Sequence, residues 1–191
     1  MENLKEFLNQ FGSIPESSID SFINLTSIEE YKKNETLINF NEVSKKFYII
    51  KSGIVRSYHS DLKGKEYTRS FFTKGKAVGS LNSLISKKPT QIAYETLTGV
   101  KLFSIDFNEF MNLTKKDIHI ANLYNRFLER IFFLMESEIF SLAVLDASER
   151  YLKLKEEIPD IDNIMTQYHL AAYLNITPVQ LSRIRKKLYS K

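Results

Sequence analysis

The chain of 191 residues contains no cysteine. It therefore has no disulfide framework, no thiolate zinc site and no cysteine-ligated iron–sulfur cluster. Residues 1–10 mix Glu2, Lys5 and Glu6 with apolar side chains, and so lack the continuous apolar run of a signal peptide. No segment approaches the roughly 20 apolar residues that a membrane span requires. We therefore expect a cytoplasmic protein without a membrane partner.

The recognisable constellations of an enzyme are also missing. No Ser/His/Asp set, paired-carboxylate motif, phosphate loop or metal-ligand cluster stands out in the sequence. The three histidines, His59, His119 and His169, are scattered and are interpreted as ordinary polar residues rather than haem ligands. The sequence predicts no catalytic activity, no metal and no resident cofactor.

Acidic residues are absent from the last 29 positions, which carry five basic ones: Arg183, Arg185, Lys186, Lys187 and Lys191. The remaining residues hold 22 basic and 23 acidic side chains, so the whole net charge of +4 belongs to this segment. A local basic patch on a nearly neutral body is typical of a binder of the phosphate backbone. On charge alone, a solvated tail explains it equally well.

Hydrophobic periodicity divides the chain and predicts an α+β fold. Residues 1–27 indicate two short helices, broken at Gly12. From about Ile28 to Asp106 the period is two, and the glycine turns between short strands predict a β-roll or jelly roll. In detail, Asp61–Gly64 is the turn of a hairpin whose return strand is Glu66–Phe72. Arg56 and Arg69 lie on predicted strands. They are either exposed arginines or ligands of an anion.

Residues 117–145 contain no glycine or proline and predict one long helix. Three-four spacing of apolar residues suits a helix that packs on its counterpart in a homodimer, although a buried helix of a monomer would show it too. The spaced residues are Ile120, Leu123, Phe127, Ile131, Leu134, Leu142 and Leu145. Phe132, Phe133 and Phe140 widen the apolar surface, so we expect one side to face the β-roll and the other a partner chain.

The C-terminal segment predicts a helix-turn-helix. Asp146 and Glu149 have capping-box spacing and begin a helix that Pro159 ends, and residues 159–162 form a polar link. Thr166 caps the next helix, Asn175 ends it in the left-handed conformation, and Ile176 plugs the turn. Thr177, with Pro178 at the first position and Gln180 in a capping box, begins the second helix.

The second helix is predicted to enter the major groove of double-stranded DNA, with Leu181, Ile184 and Leu188 on its inner side. Arg183 is the candidate for bidentate pairing with guanine, and Arg185, Lys186 and Lys187 are candidates for phosphate contacts. The predicted DNA-binding residues are Thr166, Gln167, Thr177, Pro178, Val179, Gln180, Ser182, Arg183, Lys186 and Lys187. An ordinary helical hairpin with solvated lysines is the alternative.

These features resemble the Crp/Fnr family of transcription regulators over nearly the whole chain. Residues 55–79, with Gly64, Gly75 and Gly79, are similar to the family's cyclic-nucleotide-binding β-roll, and residues 145–150 to its hinge. Residues 174–188 are similar to the helix-turn-helix of a short subgroup. The resemblance implies a β-roll sensor at 1–116, a dimerisation helix at 117–145 and a DNA-binding domain at 146–191. RNA polymerase is a further candidate partner.

Several positions depart from the family. Its cyclic-AMP receptors have Gly-Glu-Leu, whose acid binds ribose, and an arginine that pairs with the cyclic phosphate. Here the corresponding residues are Gly79-Ser80-Leu81 and the neighbourhood of Thr90-Gln91, so both charged groups are absent. Met135 and Glu136 replace hydroxyls on the dimer helix. The chain also stops three residues after Leu188, without the family's β-hairpin wing.

A buried phosphate without a charge partner is costly, so we expect no binding of cyclic AMP. An unknown small-molecule effector, if one exists, would use the pocket residues Gly79, Ser80, Leu81, Asn82, Thr90 and Gln91. The sequence thus predicts a homodimeric, sequence-specific DNA-binding regulator. A small-molecule-binding β-roll without DNA-binding activity is the alternative.

Overall fold

A computed structural model describes residues 2–189, so Lys191 of the basic segment lies outside the described residues. The chain folds into two compact units. One contains the residues up to 57 together with 71–131; the other contains 58–70 and the residues from 132 onward. The long helix α5 (Ile118–Val144) begins in the first unit and ends in the second.

The roll and the helices that flank it lie in the first unit, except for residues 58–70 of the β4–β5 hairpin, which belong to the second unit. Two helices precede the strands and three follow or interrupt them: α1 (Glu2–Asn9), α2 (Glu16–Asn24), α3 (Leu81–Ser86), α4 (Phe107–Thr114) and the start of α5. The strands are β1 (Thr26–Tyr31), β2 (Thr36–Ile38), β3 (Lys46–Ser52), β4 (Val55–Ser60), β5 (Glu66–Phe72), β6 (Ala77–Val78), β7 (Ala93–Thr96) and β8 (Val100–Asp106). They form two four-stranded sheets, ordered β1-β8-β3-β6 and β2-β7-β4-β5. The predicted α+β fold with a β-roll is confirmed.

Alternation along the strands divides the core of the first unit into two clusters. On β3, Ile49 packs into a cluster with helical residues such as Leu4, Phe22 and Phe110. Its neighbour Ile50 points the other way, into a cluster that includes Tyr94. This is the period of two that a strand imposes when both of its faces are covered. The roll interior is therefore filled by its own side chains.

The hairpin of β4 and β5 has the turn that the sequence predicted. The Asp61 carboxylate accepts hydrogen bonds from the backbone N–H groups of Lys63 and Lys65, both at 2.9 Å. Gly64 has a φ of 76°, which a residue with a side chain rarely adopts. The return strand spans the predicted residues Glu66–Phe72.

The second unit ends in four helices: α6 (Ala147–Glu157), α7 (Ile161–Ile164), α8 (Gln167–Leu174) and α9 (Pro178–Tyr189). Asp146 and Glu149 form the predicted capping box at the start of α6. The predicted polar link at 159–162 is wrong in part, because Ile161 is fully buried and begins the one-turn helix α7. Because the residues around Pro159 are polar, the sequence did not indicate that Ile161 is buried.

Helix α5 differs from the predicted dimer seam. Ile120 and Leu123 are buried in the chain's own core and Phe127 packs against them, so the assignment of these three to a partner-facing seam is wrong. Beyond residue 131 the apolar side chains are exposed instead. Phe132, Met135, Ile139 and Leu142 are among them, and their spacing of three, four and three residues is that of a coiled-coil stripe.

Candidate nucleic-acid interface

Helices α8 and α9 pack on each other through a tight turn whose parts were all predicted from the sequence. The Thr166 hydroxyl accepts a hydrogen bond from the His169 N–H at 3.2 Å and so caps α8. Asn175 ends α8 in the left-handed conformation, with φ 55° and ψ 41°. The N–H of Ile176 then bonds back to the Ala171 carbonyl at 3.0 Å, which closes the turn.

The start of α9 is held by a reciprocal cap. The Thr177 hydroxyl accepts from the Gln180 N–H at 3.2 Å, and the Gln180 side-chain oxygen accepts from the Thr177 N–H at 2.8 Å. The Gln167 side chain also donates to the Pro178 carbonyl at 2.7 Å. These three side chains fix the geometry of the first turn of α9 relative to α8.

The two sides of α9 differ in chemistry. Leu181 is fully buried, and Ile184 and Leu188 are half-buried on the same side. Val179, Ser182, Arg183 and Lys186 follow each other at i, i+3, i+4 and i+7 and are all exposed, as is Lys187. Positions three and four apart on a helix are neighbours, so the first four form one outward stripe. This stripe offers a duplex one apolar, one hydroxyl and two cationic side chains.

The ten predicted DNA-binding residues are thus all exposed and close in sequence to the α8–α9 turn, but they divide into three groups. Thr166, Gln167, Thr177 and Gln180 are used in caps and in the contact between the helices. Pro178 has no backbone N–H to donate. The remaining five present their side chains outward: Val179, Ser182, Arg183, Lys186 and Lys187.

Arg185 is not available to phosphates, so its predicted role is wrong. Its guanidinium is directed back into the second unit, where Nη2 forms an ion pair with Asp162 and Nε donates to the Tyr151 hydroxyl at 3.1 Å. Lys155 joins the same group, donating to Asp162 at 3.1 Å and to the Tyr189 hydroxyl at 2.6 Å. This polar cluster ties α9 to α6 and α7.

Asp162 is the anion at the centre of that cluster, and Tyr151 donates to it at 2.6–2.7 Å. Desolvation by itself raises the pKa of the Asp162 carboxyl, but the hydrogen bonds from Tyr151 and Lys155 and the charge of Arg185 outweigh it and hold that pKa below its ordinary value. Desolvation, together with the hydrogen bond to Asp162, raises the pKa of the Tyr151 phenol. Asp162 is therefore an anion and Tyr151 a neutral donor at neutral pH.

Two further contacts position these helices and were not predicted. Arg150 of α6 donates to the Leu174 carbonyl at the end of α8, at 2.6 Å. Lys153 of α6 donates to the hydroxyls of Ser141, at 2.9 Å, and Ser137, at 3.2 Å, on the second half of α5. The spacing of Arg150 and Lys153, three residues apart, places them on one side of α6. It does not identify their partners, since Leu174 is 24 residues from Arg150 and Ser141 is 12 residues from Lys153.

The predicted effector residues lie in the first unit, where most of their polar groups already have partners. The Gly79 carbonyl accepts from the Tyr94 hydroxyl at 2.8 Å, and the buried Thr90 hydroxyl bonds to the backbone of Ile92. Ser80 precedes α3, a helix that the sequence analysis missed, which contains Leu81 and Asn82. Asn82 and Gln91 are exposed.

Two small cavities of the first unit lie elsewhere. One, of about 220 Å³, is lined by residues 37–38, 42–46 and 48, and the other, of about 110 Å³, by residues around Phe11 and His119. Neither is lined by the predicted effector residues. Arg56 is 3% exposed, so the prediction of an exposed arginine is wrong there; it forms an ion pair with Glu95 at 2.6 Å. Arg69 is exposed as predicted.

Between residues 2 and 189, no cluster of three or more His, Cys, Asp or Glu side chains is suited to hold a metal ion. In the same range no helix has both the length and the apolar character needed to cross a membrane.

Comparison with known proteins found similarity both in sequence and in structure. Residues 28–117 match the family model of the cyclic nucleotide-binding domain. No protein of curated function matches the sequence.

Solved structures match over almost the whole chain. The c-di-GMP-responsive global regulator CLP of Xanthomonas campestris is similar at a TM-score of 0.71 and 17% identity, with 92% of each chain covered. FixK2 of Bradyrhizobium japonicum is similar at a TM-score of 0.73 and 19% identity, and the match covers 86% of this chain and 85% of that one. A transcriptional regulator of the Crp/Fnr family from Eubacterium rectale is similar at a TM-score of 0.72 and 16% identity, and the match covers 96% of this chain and 87% of that one.

The identities are low, so these structures establish the fold. Residues 28–117 are similar to the cyclic nucleotide-binding domain, and the chain has the fold of the Crp/Fnr transcription regulators.

Proposed function

We propose that the protein is a homodimeric, sequence-specific DNA-binding transcription regulator that acts in the cytoplasm. The observation that carries the proposal is the outward stripe of α9, on which Arg183 and Lys186 are exposed. The first turn of this helix is fixed by the reciprocal cap of Thr177 and Gln180. The organisation would be a sensor up to residue 116, a dimer helix at 117–145 and a DNA-binding domain from 146.

The exposed face of α5 supports the homodimer. About half or more of each side chain on this face is exposed: 60% of Phe132, 49% of Met135, 64% of Ile139 and 58% of Leu142. An apolar stripe of this length on a monomer would be left in water, whereas a second copy of the helix would cover it. A dimer related by a two-fold axis would present two α9 helices to successive major-groove faces, about one helical turn apart.

Binding to a random pool of duplexes tests the DNA-binding proposal directly. The purified full chain is expected to enrich a roughly palindromic sequence, with an affinity that falls steeply as salt rises. K186A/K187A should weaken binding and flatten the slope of log K against log salt by about 0.9 for each phosphate that is no longer neutralised.

The matched control removes two lysines of equal exposure from the first unit, K115A/K116A, and should leave both quantities unchanged. No salt-dependent binding by the unmodified protein would contradict the proposal. Together with a metabolite bound by the roll, that result would favour a ligand-binding module without DNA-binding activity.

We further propose that cyclic AMP is not the effector. The interior of the roll is occupied by buried side chains such as Tyr48, Ile50 and Tyr94. The six predicted effector residues offer a phosphate no charged side chain, since they are glycine, serine, leucine, asparagine, threonine and glutamine. Cyclic AMP at millimolar concentration is therefore expected to leave the thermal unfolding midpoint unchanged. A concentration-dependent rise would contradict this and would require Tyr94 to move.

A further inference from the structure

The first turn of the recognition helix α9 contains two exposed side chains without hydrogen-bonding capacity, Pro178 and Val179, and only Val179 lies on the outward stripe. Val179 is 61% exposed. It follows Pro178 at the second position of the helix, and its outward neighbours on the stripe are Ser182 and Arg183. An apolar side chain at this place contributes little to the core, since the inner side is formed by Leu181 and Ile184.

The other groups of this turn cannot take over direct base reading. Pro178 has no N–H, and its carbonyl already accepts from Gln167. The side-chain oxygen of Gln180 accepts from both the N–H and the hydroxyl of Thr177, at 2.8 and 3.0 Å. A glutamine that recognises adenine uses its oxygen and its nitrogen together, and this oxygen is committed to the cap. Pro178 lies three positions before the buried Leu181, whereas Val179 shares the outward stripe with Ser182 and Arg183. Val179 is thus the apolar side chain with which the first turn can distinguish bases.

The major groove displays one apolar group, the C5-methyl of thymine. Lys186, two turns along the same stripe, would supply backbone affinity and so bring the first turn close to the base edges. We propose that Val179 is a specificity-determining residue that reads a thymine methyl group in each half-site. This inference rests on the proposed DNA-binding function.

The expected effect is modest and measurable. Covering one methyl-sized group with a valine contributes about fourfold in affinity per half-site, so about 16-fold for a symmetric dimer site. Loss of the methyl group leaves the hydrogen-bonding pattern of the base pair unchanged. Replacing thymine by deoxyuridine therefore isolates the apolar contact.

The experiment begins with the duplex selected from the random pool and replaces its thymines, one symmetric pair at a time, by deoxyuridine. With the unmodified full chain, replacement of one pair is expected to weaken binding by about 16-fold, and replacement of the other pairs, including those in flanking sequence, to have no effect. With V179A, the deoxyuridine effect at that pair should shrink clearly, because alanine lacks the two methyl groups of valine. The control variant S182A, which changes a neighbouring outward residue, should keep the deoxyuridine effect.

A selected site without a thymine at a fixed place in each half, no deoxyuridine effect at any position, or an equal effect in V179A would each overturn the inference. All three outcomes leave DNA binding itself intact. Absence of any bound duplex in the selection would instead overturn the proposed function. V179A is expected to fold as the unmodified chain does because the side chain is exposed, and its thermal midpoint checks this.

Discussion

Arg183 and Arg185 are two positions apart on α9, and the structure gives them different surroundings. Arg183 is exposed on the outward stripe, whereas Arg185 is directed inward to Asp162 and Tyr151. A side chain that meets solvent is free to contact a duplex, while one held in an ion pair contributes to the stability of its own domain. The two arginines should therefore respond oppositely to truncation.

R183A is expected to relax sequence preference at one base pair, because a bidentate arginine–guanine contact contributes about 1–3 kcal/mol of discrimination. Its free energy of unfolding should match that of the unmodified chain. Binding to every single-base variant of the selected site measures the first quantity, and denaturant unfolding measures the second. A uniform loss of affinity for all sequences would remove Arg183 from the base-reading residues.

R185A should show the reverse pattern. It removes a charged donor from Asp162 and a hydrogen bond from Tyr151, so we expect a loss of about 1–3 kcal/mol in the free energy of unfolding. Preference among bases should remain. If stability were unchanged while the salt dependence of DNA binding flattened, Arg185 would be a phosphate ligand after all.

Helix ends in the second unit depend on side-chain caps. Asp146 accepts from the N–H groups of Ser148 and Glu149 at 2.7 and 2.9 Å, and Glu149 returns a bond to the Asp146 N–H at 2.8 Å. Asp160 stands at the corresponding place before α7, yet its side chain makes no cap hydrogen bond. The two aspartates form a matched pair for testing how much the capping box contributes.

D146A is expected to lower the free energy of unfolding by about 1 kcal/mol, the usual cost of removing an N-cap. D160A should cost much less, because the Asp160 side chain makes no cap bond. Urea unfolding of both variants at neutral pH measures the difference. Equal losses of stability would show that the charge near the helix start, rather than the capping geometry, supplies the stabilisation.

The central anion of the polar cluster also predicts a dependence on pH. The pKa of Asp162 is lower in the folded chain than the value of about 3.9 that an unfolded aspartate has, so its contribution is complete above that value and is lost as pH falls through the folded-state pKa. D162N should be less stable at neutral pH and should lose less stability on acidification below about pH 4. An unchanged acid limb would exclude Asp162 as its source.

The proposed homodimer depends on the exposed residues in the second half of α5. Ile139 lies on the exposed stripe with Phe132, Met135 and Leu142. Leu134, which the sequence pattern assigned to the same seam, is 57% exposed but directly precedes Met135 and so projects from a different side of the helix. I139E should convert the dimer to monomers, because a charge at the seam of two helices loses its water. L134E makes the same chemical change off the stripe and should remain dimeric.

Sedimentation velocity at micromolar concentration distinguishes these outcomes, and a monomeric unmodified protein would contradict the seam itself. Because the two DNA-binding domains of a dimer bind one palindromic site together, I139E should also reduce affinity for the palindromic duplex far more than for an isolated half-site. Equal reductions on both duplexes would indicate damage to the head rather than dissociation of the dimer.

Features set by residues within about four positions of each other were predictable from the amino-acid sequence. The caps at Asp146, Thr166 and Thr177, the left-handed Asn175 and the hairpin turn at Asp61 all depend on such local bonds, and all were confirmed. Strand alternation was predictable for the same reason, since a covered sheet imposes a period of two.

Pairings between distant positions needed the folded chain. Ile120 and Phe132 look equivalent in the sequence, yet one is buried in the core and the other is exposed. Arg185 is one more basic residue in the sequence until Asp162, 23 positions earlier, is placed beside it. Burial and charge pairing depend on which elements pack together, and that is fixed by the sum of many weak contacts rather than by any short pattern.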